Sequence, residues 1–287
     1  MKAEFKISFF TFCAWVFYSA NLESSVNAQT LGFGLNNADP IHIEASDGIE
    51  WHKNKKLYIA RGDAKARQGR VTVIADELLA YYRSTKTGSE EIYKINANGN
   101  VSIESDTDKA TSDKAIYDVV EGTLIMTGEQ IRFTTPLDTI IARESLEYYE
   151  KKNLAIAQGD AIAIRADKRL RADTLKAHFI TNQDDDNSTK IDRINAIGNV
   201  HLSTATDIVT AENADYKVNA GLVSMSGSVK ITRGQTQLNG DRAEVNLNTG
   251  VSRLLTNVKG QKKSGARVRG IFMPSVLNKD NDLRRNK

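Results

Sequence analysis

Apolar and polar residues alternate along most of this chain, the period-2 pattern of strands that are dry on one face and wet on the other. The pattern is sharpest in Ile95-Asn96-Ala97-Asn98-Gly99-Asn100-Val101-Ser102-Ile103, which returns nearly unchanged as Ile194-Asn195-Ala196-Ile197-Gly198-Asn199-Val200-His201-Leu202. In each copy a glycine interrupts two alternating runs. A glycine within a strand pattern marks a bulge or tight bend, so we read it as a corner. Six such corners occur, at Gly62, Gly99, Gly128, Gly159, Gly198 and Gly227, each followed by a small or polar residue. Their long-range offsets are close to constant: 97 from Gly62 to Gly159, and 99 for the next two pairs. The chain is therefore expected to be a three-unit block used twice.

About 14 residues after each corner comes a second signature, such as Ser112-Asp113-Lys114-Ala115-Ile116-Tyr117 or Glu212-Asn213-Ala214-Asp215-Tyr216. It reads as a strand entered through a polar turn. No amphipathic helix is apparent between Ile41 and Leu255, a span with room for some twenty or more strands of ordinary length. The fold class is all-β. Alternation places Ile95, Ala97, Val101, Ile103, Leu124, Met126, Ile194, Ala196, Val200, Leu202, Val223, Met225, Val229 and Ile231 on the dry face, with Ala115, Tyr117, Ala214, Tyr216, Ala243, Val245 and Leu247 beside them. That face is either an ordinary closed core or the wall of an open groove.

The ends differ from this body. Lys2 and Lys6 precede a mainly apolar run over 7–20, and Val26-Asn27-Ala28 has small residues at a cleavage-site spacing, so 1–28 reads as a secretory signal peptide, with an uncleaved anchor as the alternative. Residues 29–38 form a Gly/Asn-rich flexible lead. The only cysteine, Cys13, lies inside the leader, so the mature chain has no disulfide and depends on ladder hydrogen bonds and apolar burial. Net charge is +3, but Lys259 to Lys287 carries +7 of it and the rest −4. That end is a solubilising tail or a contact for an anionic partner.

Catalytic patterns are missing. His42, His52, His178 and His201 have no metal-ligand spacing, and Asp184-Asp185-Asp186-Asn187-Ser188 lacks the glycine and glutamate of a calcium loop. Gly32-Phe33-Gly34 has no third glycine, and no serine sits in a nucleophile elbow. We expect no enzyme, no cofactor and no metal.

The start Pro40-Ile41-His42-Ile43-Glu44, the Gly-Asp/Asn corners and the ending from Arg267-Val268 to Pro274-Ser275-Val276-Leu277 resemble the LptA/OstA family of lipopolysaccharide-transport bridge proteins. The resemblance implies an elongated, twisted, open β-jellyroll of antiparallel strands over 39–277, in two copies at about 41–140 and 141–258 plus a C-terminal strand, with 278–287 a charged tail. It implies a Gram-negative periplasmic protein that binds lipopolysaccharide by the acyl chains of lipid A. Its partners would be an LptC-like inner-membrane protein, an LptD-like outer-membrane protein and further copies of itself, joined end to end by strand pairing, with no nucleic acid. The lipid-binding residues would be Ile41, Ile43, Ile95, Val101, Ile103, Tyr117, Leu124, Met126, Val200, Leu202, Tyr216, Val223, Met225, Val229 and Ile231. A membrane-anchored LptC-like relative, and a secreted β-repeat protein that binds polysaccharide or is structural, are the alternatives. This chain is about a hundred residues longer than a typical member, by one duplicated block.

Overall fold

The computed structural model describes residues 40–86, 88–181, 189–246, 248–249, 251–256 and 268–271. The leader, the flexible lead, Leu247, the Asp184 to Ser188 run, Pro274 and the charged tail lie outside the described residues. Among the described residues, eighteen strands form one antiparallel sheet. In chain order they are β1 (His42–Glu44), β2 (Gly48–His52), β3 (Leu57–Gln68), β4 (Val71–Ser84), β5 (Glu90–Glu104) and β6 (Lys109–Asp118). Next come β7 (Thr123–Thr127), β8 (Ile131–Thr134), β9 (Asp138–Ala142), β10 (Ser145–Tyr149), β11 (Leu154–Arg165) and β12 (Lys168–Thr181). The last are β13 (Thr189–Ser203), β14 (Asp207–Lys217), β15 (Leu222–Arg233), β16 (Thr236–Asn246), β17 (Val251–Leu255) and β18 (Arg269–Ile271). The only other regular elements among the described residues are two single-turn 3-10 helices, Lys53–Lys55 and Glu150–Lys152.

Each rung of the sheet, one long strand or two short ones end to end, pairs with the rungs before and after it in sequence, so the sheet is a meander. Ten strands are long enough to cross the whole sheet, and four further rungs are each split in two: β1 with β2 beside β3, β7 with β8 beside β6, β9 with β10 beside β11, and β17 with β18 beside β16. Among the described residues there are fewer strands than the twenty or more the span has room for, because the glycine does not end a strand. It bends one. On β3, β5, β11, β13 and β15 the register slips at the Gly-Asx pair or its Gly-Ser counterpart, two residues standing opposite one on the next strand. This is a β-bulge, which kinks the strand while the ladder resumes beyond it. Gly128 falls in the break between β7 and β8 instead.

Four of the second signatures prove to be the other half of a corner rather than polar turns entering a strand. Asp76, Asp113, Asp173 and Glu212 sit in mid-strand on β4, β6, β12 and β14, and each packs across the glycine of the following strand or segment. A β-carbon built on Gly99 or Gly198 would come within 2.1 Å of the Asp76 or Asp173 carboxylate. Asn100 and Asn199 donate from Nδ2 to both oxygens of those same carboxylates, at 3.0–3.2 Å and 2.9–3.1 Å. Inside the corner a file of alanines, among them Ala64, Ala110 and Ala161 at no exposure, lets the two halves of the bent sheet close on each other. The core between them is continuous from β3 to β16.

The duplication is visible strand by strand. β1 to β4 reappear as β9 to β12 with an offset of 97, and β5 as β13 with an offset of 99. Even irregular features repeat: both 3-10 turns end in a left-handed residue, Lys56 and Asn153, whose carbonyl accepts the amide of Tyr82 and of Phe179 respectively.

Candidate functional site

The two halves of the bent sheet do not meet evenly. Between β7 and β16 they part around a cavity of about 660 Å³, within the range of roughly 300–1,000 Å³ usual for ligand sites. Its walls are supplied by the dry face. Leu124, Met126, Val200, Leu202, Tyr216, Val223, Met225 and Ile231, all expected from alternation, line it. So do Ile140, Leu146, Leu170 and Leu175, which alternation around the corners did not pick out. The signal for these was present, since Ile140 stands 97 residues after Ile43, just as Leu175 stands after Leu78.

The remaining candidates lie elsewhere. Ile41, Ile43 and Ile95 line a space of about 10 Å³ in the first block, too small for any ligand. Val101, Ile103, Tyr117 and Val229 line neither. Val101 and Val229 are 1% exposed, one residue past their bulges, and Ile103 is 3% exposed. Tyr117 is half-buried, packed against the core.

The cavity has two chemically different lips. One is formed where the strands before the corner end, and carries Tyr148, Phe179 and Tyr216. Tyr148 and Phe179 meet edge to face with centroids 6.4 Å apart. Burial pushes the phenols of Tyr148 and Tyr216 up, so they remain neutral hydroxyls. The other lip is formed by the hairpin ends after the corner, and is polar: Asp108, Thr135, Asp138, Arg165, Lys168, Thr204 and Asp207. Arg165 grips Asp138 with both arms of its guanidinium, at 2.6 and 2.5 Å, and Arg233 donates to the buried Asp207 at 2.7 Å. The charge-assisted bonds raise the Arg165 pKa further. These pairs tie adjacent rungs together over the apolar floor.

Nothing at the site resembles a reaction centre. Among the described residues no group of His, Cys, Asp and Glu is placed to hold a metal, and no helix is long and apolar enough to cross a membrane. The arrangement, an apolar floor with polar groups at its mouth, suits a ligand with apolar chains and a polar head.

The chain is similar to proteins of known role. The crystal structure of LptH from Pseudomonas aeruginosa, described as the LptA homologous periplasmic component of the lipopolysaccharide transport device, aligns at 14% identity with a TM-score of 0.40, over 48% of this chain and 95% of that one. No curated protein matches the chain. The family described as LptA/(LptD N-terminal domain) LPS transport protein matches three times, over residues 42–144, 139–251 and 208–268, and so takes in most of the sequence. The chain belongs to this family of lipopolysaccharide transport proteins.

Proposed function

We propose that this chain is a periplasmic carrier that holds the acyl chains of lipopolysaccharide in the cavity between β7 and β16 and hands them on along a bridge between the two membranes. The observation that carries this reading is a cavity with an apolar floor and a polar lip on one molecule. Acyl chains entering it leave water, a gain of about 0.8 kcal/mol per buried CH₂. The phosphorylated sugars stay at the lip, near Arg165 and Lys168, where they keep their hydration. The protein is passive in this account and contributes no chemical step, in keeping with a family of transport proteins rather than enzymes.

The terminal rungs supply the bridge. β1 and β2 at one end and β17 and β18 at the other each pair on one side only among the described strands. An open edge is a template for a strand of another chain. We assign the first edge to an LptC-like inner-membrane protein, the second to an LptD-like outer-membrane protein, and both to further copies of this chain. The leader would direct export and be cleaved from the exported chain.

The test is photo-crosslinking in cells, with the probe at Leu202, on the cavity wall, and separately at its outward neighbour Ser203. A lipopolysaccharide adduct at Leu202 and none at Ser203 is expected. Adducts at neither, in a folded protein, would overturn the lipid-carrier reading.

A further inference from the structure

The two blocks share one plan, yet the large cavity lies in the second and reaches into the first only at its end. All ten residues around the small space in the first block have equivalents, 97 or 99 positions later, around the large cavity of the second. Seven of the ten pairs are identical, so backbone plan and alternation cannot explain spaces of about 10 and 660 Å³. Three positions differ: Ile41 becomes Asp138, Ile49 becomes Leu146, and Tyr58 becomes Ala155. Isoleucine to leucine conserves volume. The large change is a whole phenol ring removed at Ala155.

In the first block that ring is held firmly. Tyr58 lies opposite Trp51 on β2 and Ala80 on β4, and stacks on Trp51 with centroids 5.9 Å apart. On its other side is Tyr82, 5.0 Å away, whose hydroxyl accepts the Trp51 indole N–H at 2.7 Å. The Tyr58 hydroxyl donates to Glu90 on β5 at 2.5 Å, so the ring is tied across four strands. In the second block the residues equivalent to Trp51, Tyr58 and Tyr82 are Tyr148, Ala155 and Phe179. Two rings remain there, and they touch edge to face with no ring between them. Trp51 is also half exposed on an end rung, so the cluster stands where anything entering from the N-terminal edge must pass.

We propose that Tyr58, clamped between Trp51 and Tyr82, decides where acyl chains lodge: it closes the interior of the first block, leaves the second block as the resting lipid site, and makes the N-terminal end of the channel a gate. This rests on the lipid-carrier reading above and adds a direction to it. Lipid arriving at β1 and β2 displaces the Tyr58 ring to enter, and the ring closes behind it. The gate is built of apolar surface with two hydrogen bonds, so what opens it is an acyl chain competing for the same space, not a change of charge.

The experiment places a photo-crosslinking residue at Ile95 in the first block or at its equivalent Ile194 in the second, in the full chain expressed in Gram-negative cells. In the native background the lipopolysaccharide adduct forms at Ile194 and stays at background at Ile95. Tyr58→Ala, which puts into the first block the residue the second already has, raises the Ile95 adduct to the level seen at Ile194. Tyr58→Leu is the milder variant should Tyr58→Ala fail to fold, with the same readout. Adducts at both sites in the native background, or an Ile95 site still silent in a folded Tyr58 variant, would overturn the gate while leaving the carrier intact. Adducts at neither site would overturn the carrier, and the gate with it.

Discussion

Gly99 and Asn100 hold φ angles of +76° and +47°, and Gly198 and Asn199 repeat them at +76° and +47°. Two consecutive left-handed residues are what turn a strand through a corner without ending it, and asparagine tolerates the second place because its short amide bonds locally. At the first place there is room for no side chain, because the neighbouring aspartate fills it. Gly99→Ala and Gly198→Ala should therefore each cost about 1–3 kcal/mol, read as a lower urea midpoint. Gly234→Asn should be close to neutral, since its φ is +53° but nothing lies within 4 Å of the added carbon. The corner itself was legible, because a glycine followed by Asp or Asn amid alternating residues is the mark of a bulged bend. Its acidic partner was not. Asp76 and Gly99 are brought together only by the pairing of β4 with β5, a relation that no local pattern around either residue expresses.

Strands explain why alternation gave the dry face and not the groove. Ile95 and Ile194 have closely similar neighbours in sequence and the same inward direction, yet one is sealed and the other borders open space. What separates them is one aromatic ring on a strand two rungs away, at a position where sequence alone ranks Tyr58 and Ala155 as equally suitable inward residues. The end strands carry a separate consequence. Ile49 and Val251 are 50% and 44% exposed on rungs that have one partner each among the described strands. If these are the docking edges, Val251→Lys should shift the sedimentation of the protein from end-to-end assemblies towards the monomer without moving its thermal midpoint. Native protein that stays monomeric at every concentration would refute self-pairing.

The molecule as a whole should weaken in alkali. The Tyr58 phenol is pushed up to about 12, chiefly by its bond to Glu90 and then by burial, and Tyr117 is pushed up to about 12, chiefly by burial. Between an ordinary tyrosine pKa of about 10 and these values the unfolded chain has lost the protons and the folded chain keeps them, so stability falls as pH rises. The urea midpoint should decline above roughly pH 9.5, with late-ionising phenols visible in the ultraviolet spectrum. A midpoint that rises through that range would contradict the Tyr58–Glu90 bond and the half-buried placement of Tyr117.

Because every rung pairs only with the next one along the chain, length and cross-section are independent. The corner, the alanine file and the dry face specify the profile, and the number of rungs specifies the reach. Neighbouring strands are about 4.8 Å apart, so each repeat of six rungs adds close to 30 Å along the axis, and the eighteen strands together act as a ruler of about 60 Å. Copying the block thus changes how much distance one molecule spans while leaving unaltered the shape it presents at either end. If copies of this chain join into the proposed bridge, a longer ruler would need fewer joints to cover the same gap, and every joint removed would be one fewer place where the bridge can come apart.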